Sequence, residues 1–391
     1  MKKAFAILIN SLNGGGAERM VSRISEPLSQ QYELYILTLY VTEKDYKCAG
    51  HIIHVGGDGG YYKRVWHCIR NLNQLIRENH ITCVMSFLQV PDLVNILINH
   101  SCKRVINLRG FQSLDTTICL SNKIKYMLCV LFYRFADGVI AVSKELKEDC
   151  SRRFRVPERK CYAIENFCEI ETNDAETLSD KNVLSFIDNH KTLVSVGRLV
   201  WTKNYEELLY VVQRIRQEIP EIGLLILGEG EARTKLEKLA GDLEVSENVL
   251  FAGNKKNPMQ YVKRCAMYVS LSFFEGFPNA LLEAMMCGIP VLHAACQTGP
   301  TEMLTGDFKA GDKIDRPMFA EYGILTQDCL MLKEEEAKAK NRDAVAESII
   351  RILNDKTLAD DYGRRAWLRA QQYTKEKCIE EYIQVIEKVT E

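Results

Sequence analysis

Short aliphatic and β-branched runs alternate with longer stretches of helical periodicity along nearly the whole chain. This is the pattern of parallel sheets assembled from strand–helix–strand units. In the first half the predicted strands are KAFAILIN, ELYILTLY, HIIHVG, ITCVMSFL, KRVINLR, DGVIAVS and CYAIEN. The stretch TNDAETLSDKN (172–182) is polar and strandless, and reads as a linker. Beyond it the rhythm restarts with TLVSVGR, IGLLILG, NVLFAG, AMYVSLS and PVLHA. The reading is an α/β protein of two doubly wound domains, residues 1–171 and 183–372. A final amphipathic helix, about 373–391, carries Ile379, Tyr382, Ile383, Val385 and Ile386; it either pads its own domain or crosses back to the first.

Length agrees with this division, since 391 residues allow two or three domains, each with its own core. Net charge is only −1, but it is unevenly spread. Residues 1–165 hold 23 Lys and Arg against 15 Asp and Glu, and the rest hold 28 against 37. A basic first half suits an anionic partner there, a membrane surface or a phosphate-bearing substrate, although scattered solvated charge accounts for it equally. Residues 62–79 sharpen the question. Val65, Ile69, Leu72 and Ile76 share one helical face, and Lys63, Arg64, Arg70 and Arg77 fall elsewhere. Such a helix lies on an anionic membrane or packs its stripe on the sheet.

The fourteen cysteines are scattered singly, with no C-x-x-C pair and no matching His spacing, so neither a zinc site nor a disulfide framework is expected. The early run AFAILI is too short for a secretory core and reads as a first strand. The run YMLCVLFY, between Lys125 and Arg134, is far too short to span a bilayer. The expected location is cytoplasmic, with peripheral contact at the inner face of the plasma membrane as a further expectation. No nucleic-acid partner is expected.

Ligands of open parallel sheets bind beyond the carboxyl ends of the strands, near the point where strand order reverses. The residues just past each predicted strand are therefore informative. After TLVSVG come Arg198 and Lys203, and after LLIL comes the glycine-bearing turn GEGEAR, opened by Gly228. After MYVSLS comes FFEGFPNALLEAMM, in which Glu275 and Glu283 bracket Gly276, Phe277, Pro278 and Asn279. Glu283 sits among Leu281, Leu282, Ala284, Met285 and Met286, so its helix is expected to be buried. A buried carboxylate without a partner costs several kcal/mol, on the order of those measured for isolated buried charges. Gly276 permits a tight turn, and Pro278 suits the first helical position. The amides of Asn279, Ala280 and Leu281 would then face an anion. In the first half, ILINSLNGGGAERM reads as strand, glycine turn and helix, with Gly15 and Gly16 in the turn. Arg19 stands where a dinucleotide fingerprint needs its third glycine, and no G-K-[ST] occurs after it. Each feature alone has a structural explanation. Together at successive strand ends they describe a site for a diphosphate attached to a polyol.

The second half resembles the retaining glycosyltransferases of family four, which have the GT-B fold of two Rossmann-like domains facing across a cleft. VSVGRLVWTKNYEELL, LLILGEGEARTKLEKLA, NVLFAGNKKNPMQYVKRCAMYVSLSFFEGFPNALLEAMMCGIPVL and GPTEML carry the likeness, in order, and NGGGAERM extends it into the first half. The resemblance implies that Arg198 and Lys203 hold the donor diphosphate and stabilise it as it leaves. It further implies that Glu283 binds the ribose hydroxyls, and that Glu275 with the amides of Gly276, Phe277 and Asn279 holds the sugar. Gly15 and Gly16 would close over the phosphates, and the last helix would return to the first domain. Many relatives carry a His in the loop after a middle strand of the first domain. Here that region reads INLRGFQ, so Arg109 takes the place by hypothesis.

The implied activity is metal-independent transfer of a hexosyl or N-acetylhexosaminyl group. The donor is a nucleotide-diphospho-sugar, UDP-sugar favoured, and the acceptor a glycan or lipid-linked glycan of a lipopolysaccharide or capsule kind. No Asp-x-Asp motif occurs and no cofactor is expected. A nucleotide-sugar epimerase on the same fold and a non-catalytic sugar-binding subunit are the competing readings. The segment 306–321 is expected to be a loop near the cleft.

Overall fold

The computed structural model describes residues 2–41, 46–57, 61–98, 101–110, 120–169, 180–296, 299–305 and 314–391. It divides into two compact units, Met1–Asn166 with Lys375–Glu391, and Phe167–Thr374.

The first unit is built on β1 (Ala4–Ile9), β2 (Glu33–Thr38), β3 (His51–His54), β4 (Ile81–Phe87), β5 (Lys103–Leu108), β6 (Gly138–Ala141) and β7 (Cys161–Ala163). All seven were predicted. They form one sheet in the order β3-β2-β1-β4-β5-β6-β7, paired in parallel throughout. Order reverses between β1 and β4, where the chain leaves both strands at their carboxyl ends. β1 is wholly buried, as a strand covered on both faces must be.

Helix Tyr61–Glu78 turns its apolar stripe inward. Cys68, Leu72 and Ile76 are buried in the core beneath β1, β2 and β4, with Val65 and Ile69 packed against them. Of the two accounts of residues 62–79, packing of the apolar stripe on the sheet is the one realised. The last helix, Lys375–Thr390, returns to the first unit as expected. Its Tyr382 hydroxyl accepts a 2.8 Å hydrogen bond from Asn107 Nδ2 on β5.

The second unit repeats the plan with β8 (Lys191–Val196), β9 (Ile222–Leu227), β10 (Val249–Gly253), β11 (Met267–Ser270), β12 (Val291–Ala294), β13 (Met318–Phe319) and β14 (Ile324–Thr326). The order is β10-β9-β8-β11-β12-β14-β13, with β13 antiparallel to β14. Order reverses between β8 and β11. β13 and β14 were not predicted. They are two and three residues long, too short to show a period, and β13 ends the segment read as a loop over 306–321. Residues 306–313 of that segment lie outside the described ones, as does most of the expected linker 172–182. The end of that linker is not loop. Asp180 caps helix Lys181–Asn189, its carboxylate accepting from the amides of Asn182 and Val183.

Candidate functional site

In the second unit the loop after β8 carries Arg198 and Lys203. Arg198 is exposed, and Lys203 ends a short 3-10 turn, Trp201–Lys203. That turn closes because Asn204 adopts a left-handed conformation, φ 52°, which asparagine tolerates better than most residues. Asn204 Nδ2 then donates to the Leu271 carbonyl at 3.0 Å, and Phe273 N to the Thr202 carbonyl at 2.9 Å. Two hydrogen bonds thus stitch the loop after β8 to the loop after β11. The result brings two predicted residues together, with Lys203 Nζ 2.6 Å from Glu275 Oε1.

Glu275 is only 12% exposed at its side chain. Burial alone would raise its carboxyl, but Lys203, the nearby His293 ring and a hydrogen bond from Ser272 outweigh it and hold the group below its ordinary value. His293, at the end region of β12, was not singled out by its sequence and is wholly buried. Its Nδ1 bonds the Ala294 carbonyl at 2.8 Å, so the neutral ring carries its proton there. Its Nε2 is a buried acceptor that no group among the described residues meets. Burial holds this ring below its ordinary value, against the opposing pull of Glu275. A histidine next to an aliphatic run carries no sequence signal of such a role. Only the pairing of Ser270 with His293 across β11 and β12 shows it.

Helix Asn279–Met286 begins four residues past Glu275. Pro278 is one position earlier than expected; it caps the helix rather than opening it, and its carbonyl accepts the first intrahelical bond from Leu282 N at 3.1 Å. The amides of Asn279, Ala280 and Leu281 therefore lie ahead of that bond, as at any helix start. Glu283 is 4% exposed, with Leu281, Leu282, Ala284 and Met285 fully buried about it. Gly276 is buried. The Phe277 ring packs edge-on against Tyr373, centroids 5.5 Å apart, which leaves its backbone as the part suited to a ligand. Gly228 has a packing reason of its own, because a Cβ there would stand 2.0 Å from the Gly197 carbonyl oxygen.

In the first unit, Gly15 caps helix Gly16–Gln31 without any side-chain bond from the cap itself. The Glu18 carboxylate folds back over Gly15, where a Cβ would fall 1.9 Å from its Oε2. The third helical residue thus supplies an anion at the positive helix end, in the manner of a capping box. Arg109, just past β5, donates from Nη2 to Asn166 Oδ1 at 2.9 Å and lies over the Phe87 ring at 5.9 Å. The residue is partly exposed, but its Nη1 is fully covered and meets no acceptor among the described residues. Burial pulls the guanidinium below its ordinary value, with Tyr382, Cys378 and Glu18 opposing. Past β1, Asn10 Oδ1 and Asn13 Oδ1 are likewise buried and unmet. These unmet groups lie past the carboxyl ends of β1 and β5, the strands on either side of β4, and each calls for an explanation beyond packing. Both asparagines went unnoticed in the sequence because the adjoining glycines dominate the motif.

Two family profiles match the chain. Glycosyltransferase Family 4 covers residues 14–172, and Glycosyl transferases group 1 covers residues 177–311. An uncharacterized glycosyltransferase of Methanocaldococcus jannaschii is 30% identical over 281 residues, 68% of each chain. The N-acetylgalactosamine-N,N'-diacetylbacillosaminyl-diphospho-undecaprenol 4-alpha-N-acetylgalactosaminyltransferase of Campylobacter jejuni is 25% identical over 391 residues, 95% of this chain and 96% of that one. The solved structure of HepE from Anabaena with UDP and glucose superimposes with a TM-score of 0.76 at 16% identity, over 99% of each chain. Likeness at that identity speaks for the fold, two Rossmann-like units of the GT-B kind. The two profiles in tandem and the archaeal relative place the chain in the glycosyltransferases that join a Family 4 domain to a group 1 domain.

Proposed function

We propose that this glycosyltransferase is a retaining enzyme that takes a hexosyl or N-acetylhexosaminyl group from a UDP-sugar to a glycan or lipid-linked glycan acceptor. The pairing of Lys203 with Glu275 at the reversal of strand order in the second unit carries the reading. In the reaction the bond from the anomeric carbon to the diphosphate oxygen breaks, and its electron pair leaves with the nucleotide. The acceptor hydroxyl oxygen forms the new bond, and its proton goes to the released diphosphate. Negative charge grows on the diphosphate, so Lys203 and exposed Arg198 are placed to stabilise it, each preorganised charge being worth about 2–4 kcal/mol. In this reading the two cations offset part of the leaving group's charge and no metal is required. Glu283 receives the ribose hydroxyls, and Glu275, already held ionised by Lys203, accepts from hydroxyls of the sugar. Support for the donor comes from the HepE structure with UDP and glucose. Support for a diphospholipid-borne acceptor comes from the name of the Campylobacter relative.

Saturation-transfer NMR of the full chain with a panel of UDP- and GDP-sugars tests this. Selective binding of one UDP-sugar, lost in Glu283→Ala and in Lys203→Ala while both keep the native circular dichroism, is the expected result. Binding indifferent to both substitutions, or none to any nucleotide sugar, would overturn it.

A further inference from the structure

The run YMLCVLFY belongs to helix Leu120–Phe132 and the 3-10 turn Tyr133–Phe135 that continues it. One side of this element is ordinary core. Cys129 and Tyr133 are fully buried, Tyr126 and Tyr133 pack on Phe154, and the Tyr133 hydroxyl donates to Asp92 Oδ2 at 2.9 Å. The opposite side is also apolar. Ile124, Met127, Leu131 and Phe135 recur at helical spacing and are 47, 55, 46 and 48% exposed. Four large apolar side chains in one row are more than scattered surface hydrophobicity.

The charges beside the row name its partner. Lys123 and Arg134 flank one side and Lys125 the other, and from Leu120 to Ala136 there is no Asp or Glu. The Arg134 guanidinium stacks over the Phe135 ring at 4.9 Å, holding cation and aromatic face together. A protein partner of mixed charge would call for acids as well as bases in such a border. An apolar stripe whose own helix and turn flank it only with cations matches a bilayer, with acyl chains below the stripe and anionic headgroups at its rim. No helix among the described residues is long and apolar enough to cross a membrane, so contact is by lying on the surface.

We infer that Ile124, Met127, Leu131 and Phe135, with Lys123, Lys125 and Arg134, form a docking surface for an anionic lipid bilayer. The surface rests on its own exposure and charge. In giving a lipid-linked acceptor a place to be met, it rests on the function proposed above. Helix Tyr61–Glu78, equally basic and more evenly amphipathic in sequence, buries its stripe in the core and so provides a control.

The test is flotation of the full chain with vesicles of phosphatidylglycerol and phosphatidylcholine, and with pure phosphatidylcholine, at low and at raised salt. Binding to the anionic vesicles is expected, weakened by salt and weak on pure phosphatidylcholine. Met127→Asp with Leu131→Asp, and separately Lys123→Glu with Lys125→Glu, should each lower partitioning tenfold or more. Trp66→Ser on the control helix, where Trp66 is exposed, should change it less than twofold. Nucleotide-sugar binding in solution, measured on the same variants, should stay at the wild-type level and thereby certify folding. Failure of the donor assignment and failure of the membrane assignment are therefore read on separate axes. No binding to anionic vesicles, or binding indifferent to the four stripe and rim substitutions, would overturn the inference. So would a wild-type dimer in light scattering that Met127→Asp with Leu131→Asp converts to monomer, since the stripe would then be a contact between copies.

Discussion

The two units place charge at their strand ends in opposite ways. The second sets a buried carboxylate, Glu275, against its own cation, Lys203, at 2.6 Å. The first half-buries a cation, Arg109, whose hydrogen-bond partners Asn166 and Tyr382 are neutral and whose covered Nη1 has no acceptor among the described residues. The second unit holds a preformed ion pair beside the unmet His293 Nε2, and the first keeps an unmet guanidinium nitrogen past β5 and unmet amide oxygens past β1, among the described residues. A preformed ion pair fixes geometry, whereas an unmet group holds its binding energy in reserve until a polar partner enters.

Breaking the completed pair should cost most. Lys203→Met strands Glu275 and should lower unfolding free energy by about 2–4 kcal/mol, the low end favoured because Lys203 is 25% exposed. Adding Glu275→Gln should restore most of that stability in urea titrations but none of the transferase activity. Equal losses in the single and double variants would show that the pair is not coupled. Arg109→Met should cost less, about 1–2 kcal/mol, because it leaves neutral groups rather than a charge behind. Its transfer rate should nevertheless fall tenfold or more, measured as nucleotide released per minute. A stability loss as large as that of Lys203→Met would make Arg109 structural and erase the contrast.

The smallest effect is pH-dependent. His293 is held neutral in the fold, with its proton affinity below the ordinary value of 6.5. Unfolding frees it to bind a proton, so stability falls as pH drops below about 6.5, because the unfolded state then binds more protons. His293→Gln should remove up to about 1 kcal/mol of the loss between pH 7.5 and pH 5.5. Glu275 acts in a lower window. Its folded value lies below the ordinary 4.5, so its contribution is present above that pH and disappears as pH falls through the depressed value.

Twelve of the fourteen strands and the burial of Glu283 were legible because each rests on local pattern, whereas the return of the last helix came only from the family resemblance. β13 and β14 were not, since two or three residues show no period. The contact of Lys203 with Glu275 depends on Asn204 and Phe273 stitching two loops together, which spacing in sequence does not encode. The amphipathic helices show the same limit from the other side. Periodicity says that a stripe exists, but only the sheet decides whether it covers that stripe. It covers Leu72 and Ile76, and it leaves Met127 and Leu131 in the open.

The bond between Asn107 and Tyr382 joins residues 275 positions apart. Ile379, Tyr382, Val385 and Ile386, all buried, complete a core whose other members lie before residue 167. During synthesis the ribosome must therefore make the entire second unit before the first is finished. At ordinary elongation rates that is an interval of about 10–40 s. Throughout it the patch that these four side chains cover in the finished fold stands open, and chaperone occupancy of nascent chains halted before and after Lys375 would register the moment it is closed.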